Sequence, residues 1–293
     1  MPTATTFFGR TITNLGPLTT TYTAPTSCAT ATNNIYFGPS LFPSVEWFRP
    51  TCVPGNYSDC IPSGGAVDKL SREYINTVDQ RYIPYFSPGL ACPDGWTTVG
   101  AINMAQGSEG SSGIFTEHPY NIKNTPENDH VLRWMMLSQF WLELLEDSET
   151  LAYCCPSGFE SSDNDFNWHR KGDCYSMLGP LEAFNYSTVC SLSRSGLLDI
   201  ATVTLQDVTT SFWSMNNRTW EPKTEYATIT STITEMDMEI AVVVVTNVPA
   251  VALVYKDSDK KSEATQPISM RGMMPVVMLI VGILAGAGLF APW

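Results

Sequence analysis

The sequence predicts a mainly β protein: a disulfide-stabilised, β-rich ectodomain with one inserted helix and a C-terminal transmembrane helix. Three observations carry this. Eight cysteines fall between Cys28 and Cys190 and none follows, a Thr-, Val- and Ile-dense run fills Gln206 to Tyr255, and Met273–Trp293, MMPVVMLIVGILAGAGLFAPW, is apolar and uncharged. An even cysteine count confined to one region reads as a covalent framework of the kind that persists in oxidising compartments. Dense β-branched residues favour strands, and about 20 apolar residues span a bilayer.

Composition narrows the partners. Charged residues make up 15% of the chain against 43% hydrophobic, and 16 Lys and Arg stand against 29 Asp and Glu, a net charge of -13. The surface is therefore finished largely with uncharged polar groups. Nucleic acid and anionic lipid headgroups are disfavoured, because polyanions reward basic patches.

The elements follow in chain order. Residues 1–32 are rich in Thr with scattered Pro and no helical period, and read as an extended arm suited to O-glycosylation. The arm shows no apolar core behind a basic start, so no secretory signal is visible. Three N-x-S/T sequons, at Asn56, Asn185 and Asn217, nevertheless lean toward export. Residues 33–255 form the cysteine-rich, mainly β ectodomain. Within it, the closely spaced breakers from Phe37 to Trp96 exclude long helices and predict short strands and loops. Gly107–Gly113, GSEGSSG, reads as a flexible connector.

One helix is predicted between Asp129 and Asp147, where Val131, Leu132, Met135, Met136, Phe140, Trp141, Leu144 and Leu145 recur at helical spacing. Glu143, Glu146, Asp147 and Glu149 read as its solvated acidic face rather than a catalytic cluster, since no matched base, metal partner or nucleophile lies nearby in sequence. From Gln206 to Tyr255 strands are predicted. Ala241–Val245 is a buried strand, and Asn247 with Pro249 interrupts it before Ala250–Tyr255 resumes. Residues 256–272 form a polar stalk in which Asp257 and Asp259 alone make a poor cation site. Residues 273–293 have two readings: a permanent single-pass helix flanked by Arg271, or a glycolipid-anchor signal with small residues at Ser262 and Ala264.

Catalytic signatures are absent. The chain has no G-x-S-x-G, H-E-x-x-H, G-x-x-x-x-G-K-[ST] or strand-linked G-x-G-x-x-G. No catalytic, cofactor-binding or metal-ligating residue is assigned, because His118, His130 and His169 are scattered and no C-x2-C pair occurs. The eight cysteines, Cys28, Cys52, Cys60, Cys92, Cys154, Cys155, Cys174 and Cys190, are instead disulfide candidates with 105 arithmetic pairings. Adjacent Cys154 and Cys155 are a poor redox pair, since Glu149 and Glu160 on either side oppose thiolate formation. They are also a poor pair for each other, because the intervening peptide strains the ring.

The segment YFSPGLACPDGWTTVG, Tyr85–Gly100, followed by ETLAYCCPSGF and GDCYS, resembles a group of uncharacterised ascomycete cell-surface and membrane proteins. These carry CPxGW and CCPSGF cysteine motifs and a C-terminal membrane segment. GPLTTTYTAPTSC, Gly16–Cys28, and ALVYKDSD, Ala252–Asp259, are also similar to features of that group. The chain departs from it in lacking a basic tail after the helix and in the Glu117–Trp141 insertion. The resemblance implies a fungal surface or wall location and no activity.

The resulting expectation is a non-enzymatic, glycosylated surface protein attached to the membrane through Met273–Trp293, with a cell-wall polysaccharide or a protein as its open partner. The alternative is a membrane-tethered enzyme or accessory factor of a secondary-metabolite pathway. For the cysteine pair the expectation is geometric: neighbouring side chains on one strand point to opposite faces. One bridge would run back to Cys92 and one forward to Cys174.

Overall fold

A computed structural model describes residues 6–30, 34–52, 55–74, 82–104, 110–116, 133–161, 172–186, 189–205, 208–225, 232–235 and 238–263. The first half contains β1 (Thr6–Phe7), β2 (Arg10–Asn14), β3 (Ile35–Pro39), β4 (Phe48–Arg49), helix α1 (Gly64–Tyr74), β5 (Tyr82–Tyr85), β6 (Trp96–Asn103) and β7 (Ser111–Gly113). Then come β8 (Arg133–Trp134), helix α2 (Leu137–Leu144), β9 (Glu149–Pro156), β10 (Glu160–Ser161) and β11 (Cys174–Pro180). The last third holds β12 (Val189–Leu205), β13 (Val208–Glu225), β14 (Thr232–Glu235), β15 (Met238–Val248), β16 (Val251–Lys256) and helix α3 (Asp257–Glu263). The fold is mainly β, as the composition predicts.

A four-stranded sheet in the order β16-β9-β6-β7 holds the main core. Side chains alternate along β9, so Leu151 and Tyr153 enter one hydrophobic cluster while Ala152 and Cys154 enter another. Helix α2 packs in the first cluster through Leu137, Phe140, Trp141 and Leu144, the i, i+3, i+4, i+7 stripe that makes it amphipathic. Phe140 and Trp141 have no exposed surface. Burying a side chain of that size contributes about 1.5–3 kcal/mol.

The helix is shorter than the periodicity over Asp129–Asp147 predicts. Arg133 and Trp134 instead form β8, paired in parallel with Phe212 and Trp213 of β13, and residues 129–132 lie outside the described residues. Strand pairing takes the backbone groups that a longer helix would need, so tertiary contact overrides propensity here. The helix begins where the Gln139 side-chain oxygen accepts the Met136 N–H at 3.0 Å. It ends at Leu145, whose backbone turns extended.

The second sheet runs β10-β11-β15-β3-β4-β12-β13-β8, with β14 paired to β15. Along β15, Val242 and Val244 pack with Phe37 and Leu181, while Val243 and Val245 pack with Tyr36 on the opposite face. The interruption after Asn247 is larger than a bulge: β15 lies in this sheet and β16 in the four-stranded one. Pro249, which has no N–H to give a ladder, stands where the chain crosses between them.

Three other segments differ from expectation. The breaker-rich stretch Phe37–Trp96 contains the 11-residue helix α1, which starts on the glycines of Ser63-Gly64-Gly65. A side chain at Gly64 would collide with the Ser58 carbonyl, so this glycine marks a close approach. Part of GSEGSSG is strand rather than connector, since β7 pairs with β6 from Gly100 to Ile102, and residues 105–109 lie outside the described residues. The described part of the Thr-rich arm packs on the body. There β2 runs parallel to β5, the Phe7 ring sits 5.5 Å from Phe140, and the Arg10 guanidinium lies 5.4 Å over the same ring.

Candidate functional site

The two adjacent cysteines of the sequence sit in the buried interior. Cys154 and Cys155 occupy β9 and are both fully buried. Their side chains leave the strand on opposite faces, as the pleat requires. Cys154 bonds Cys92, with Cα atoms 5.7 Å apart, and Cys155 bonds Cys174 on β11, with Cα atoms 5.6 Å apart. The second bridge therefore ties the four-stranded sheet to the larger one. Cys28–Cys60 fastens the arm to the turn before α1, and Cys52–Cys190 joins the loop after β4 to β12. All eight cysteines are paired. Each bridge restricts the unfolded chain and contributes about 2–4 kcal/mol.

The segments around these bridges are joined by backbone bonds. Ser157 donates to the Gly95 carbonyl through both its N–H, at 2.9 Å, and its hydroxyl, at 2.8 Å, so the CCPSG turn clasps the CPDGW turn. In YFSPG, Phe86 exchanges backbone bonds with β16, donating to Ala252 and accepting from Val254. On its other side the same segment meets the arm, where Ser87 N–H donates to the Gly16 carbonyl and Leu18 N–H to that of Pro88. The Tyr22 hydroxyl donates to the Asp59 carbonyl at 2.6 Å, and burial, then the Asp59 charge, raises its pKa. The motif residues are thus the seams along which arm, loops and sheet are sewn together.

Six of the described acidic residues hold structural partners. Glu149 is buried rather than part of a solvated face, a correction to the sequence reading. It begins β9, and its carboxylate accepts the Glu146 N–H at 3.1 Å, closing the turn that follows α2. Glu146 is exposed and accepts from Lys256 Nζ at 2.6 Å, a hydrogen bond that lowers its pKa, aided by the lysine charge. Buried Asp68 on α1 accepts the N–H groups of Tyr57 and Ser58 at 2.8 and 2.9 Å. Glu46 pairs with Arg49. Asp259 accepts the Lys256 N–H, and Asp257 pairs with Lys260, so both acids serve the start of α3. Among the described residues no group of three or more His, Cys, Asp and Glu is arranged to hold a metal ion. His118, His130 and His169 lie outside them.

The modification candidates lie on separate elements of the chain. Asn56 is exposed, and its amide oxygen lies 3.4 Å from Arg72 Nη1. Asn185 is exposed between half-buried Phe184 and Tyr186, whose rings stack 6.1 Å apart. Burial raises the Tyr186 pKa. Asn217 lies on β13. Ser262 lies on α3, whereas Ala264 and the apolar segment 273–293 fall outside the described residues. No described helix is long and apolar enough to cross a membrane.

One surface was missed in the sequence. The turn-proximal part of the β12–β13 hairpin packs Leu205 and Phe212 into the core, with Val203 against it. The opposite parity presents three cross-strand pairs: Ile200 with Trp213, Thr202 with Ser211, and Thr204 with Thr209. The hydroxyls of Thr202 and Ser211 lie 3.0 Å apart and those of Thr204 and Thr209 lie 3.1 Å apart. Ile200 is 49% exposed. The partial alternation of ATVTL and TTSF carries this signal, and pairing the two stretches as a hairpin would have found it.

No family model matches the chain, and neither a curated protein nor a solved structure matches it.

Proposed function

We propose that the chain is a non-enzymatic surface protein of structural or interaction type, whose disulfide-stapled body is held at a membrane through the apolar segment Met273–Trp293. The observation that carries this reading is the pairing of all eight cysteines in four bridges. Frameworks of that kind persist outside the reducing cytosol. The three sequons agree with an exported chain, and two of their asparagines, Asn56 and Asn185, are exposed. The CPDGW and CCPSGF motifs support membership of the ascomycete surface group they resemble, and their residues act as structural seams. Of the acidic cluster Glu143, Glu146, Asp147 and Glu149, Glu149 closes a turn and Glu146 forms an ion pair.

The test is mass mapping of the full chain, alkylated before and after reduction. Bridged peptides with no free thiol support the reading, and eight alkylated thiols overturn it. Membrane fractionation with and without phosphoinositide-specific phospholipase C separates the two attachments: release by the enzyme identifies a glycolipid anchor, and retention identifies a permanent helix.

A further inference from the structure

The outer face of the β12–β13 tip combines three properties. It is firm, because its reverse side is anchored in the core by Leu205 and Phe212. It is regular, with cross-strand pairs about 5 Å wide repeating about every 7 Å along the strands. It is uncharged: the described outer positions are Ile200, Thr202, Thr204, Thr209, Ser211 and Trp213, and Asp199 belongs to the opposite parity, paired with Ser214. Trp134 of β8 stands in register beside Trp213.

These properties select a partner class. A protein of net charge -13 that leaves one regular face without charge offers nothing to a polyanion or a charged headgroup there. Within each pair of facing hydroxyls one O–H serves the other oxygen, which leaves the second O–H and the remaining lone pairs free to exchange bonds with a ligand. A polymer that presents donors and acceptors densely, with no charge, matches that pattern. The half-buried indole of Trp213 adds an apolar surface at one end of the row, the usual companion of a few placed polar groups in a binding site.

We infer that this face binds a neutral polysaccharide. A sugar ring lies on Trp213 beside Ile200, and neighbouring sugars exchange hydrogen bonds with Thr202, Ser211, Thr204 and Thr209. This deepens the surface-protein reading by naming the partner of its interaction role, and it rests on that reading only for where the polymer is met.

The experiment is co-sedimentation of the detergent-solubilised full chain with two insoluble probes, β-glucan particles and chitin, which separate the two sources of neutral sugar. At least one probe depletes the chain from solution, and Trp213→Ala weakens that depletion about tenfold, the scale of one aromatic contact. The paired change Thr202→Val with Thr204→Val keeps shape while removing hydroxyls, and weakens it severalfold. It is the decisive variant if Trp213→Ala does not fold. Retention of neither probe, or equal retention of the folded hydroxyl variant, overturns the inference. Four formed bridges with no retention leave the surface reading standing and remove this one. Eight free thiols remove the surface reading, while retention of a probe still decides the platform.

Discussion

Trp141 on α2 donates its indole N–H to the Tyr153 hydroxyl on β9 at 2.8 Å, with both residues buried. Their rings meet edge to face, 6.2 Å apart at 77°. This bond fixes the helix over the sheet through one aromatic residue from each element. Tyr153→Phe keeps the ring and leaves the indole N–H buried without its partner, so a loss of about 1–3 kcal/mol is expected. Denaturant unfolding measures it, and a loss under a few tenths of a kcal/mol contradicts this role.

The bridges differ in the length of chain they close. Cys52–Cys190 spans 138 residues and Cys155–Cys174 spans 19. In the chain-entropy account a 15-residue loop is worth about 3 kcal/mol and a 100-residue loop about 4.7. Replacing Cys52 and Cys190 with Ala is therefore expected to cost more stability than replacing Cys155 and Cys174, as read by thermal unfolding of the two double variants. The reverse order would show that the contact between sheets outweighs loop closure.

Gly113 has φ +59° and faces the Val99 carbonyl so closely that a Cβ would collide with backbone. Gly113→Ala is expected to cost at least about 1–3 kcal/mol from the backbone alone, and to loosen β7 from β6. Faster proteolysis between Gly100 and Phe115, together with a lower melting temperature, reports it. Gly158, with φ +83° and open space around its Cβ position, is the matched control that carries strain without collision.

The Glu146–Lys256 pair sets a pH dependence. The folded-state pKa of Glu146 lies below its ordinary value of 4.5, held down first by the Lys256 hydrogen bond and also by the lysine charge. A lowered acid stabilises the fold above its unfolded pKa, and that contribution fades as pH falls through the folded value. The melting temperature of Glu146→Gln is expected to fall slightly below wild type at neutral pH and to converge with it in acid. A gap that widens below pH 4.5 contradicts the assignment. The effect is small, because the pair is exposed to screening water.

Where local chemistry matched tertiary structure, the sequence was informative. Adjacent Cys154 and Cys155 had to face opposite ways once β9 was extended, and their partners are Cys92 and Cys174 as expected. The Phe140, Trp141 and Leu144 stripe announced α2. Glycine was the main source of error. Gly64 and Gly113 read as punctuation, yet each stands where another backbone comes too close for a side chain. Glu149 read as solvated because its neighbours are, whereas a single residue's parity at the start of β9 takes it inside. The change of sheet at Pro249 depends on contacts far apart in sequence, with β16 pairing to β9 about a hundred residues earlier, so no local pattern announces it. At the hairpin face the alternation was visible, but its meaning required the pairing.

The most direct test is peptide mapping of the unreduced full chain across Cys154 and Cys155, with cleavage between them or fragmentation that separates their masses. The predicted result is Cys154 linked to Cys92 and Cys155 linked to Cys174. Alkylated thiols at both positions, or a swapped pairing of Cys154 with Cys174, would contradict an account in which one strand staples two faces of the body.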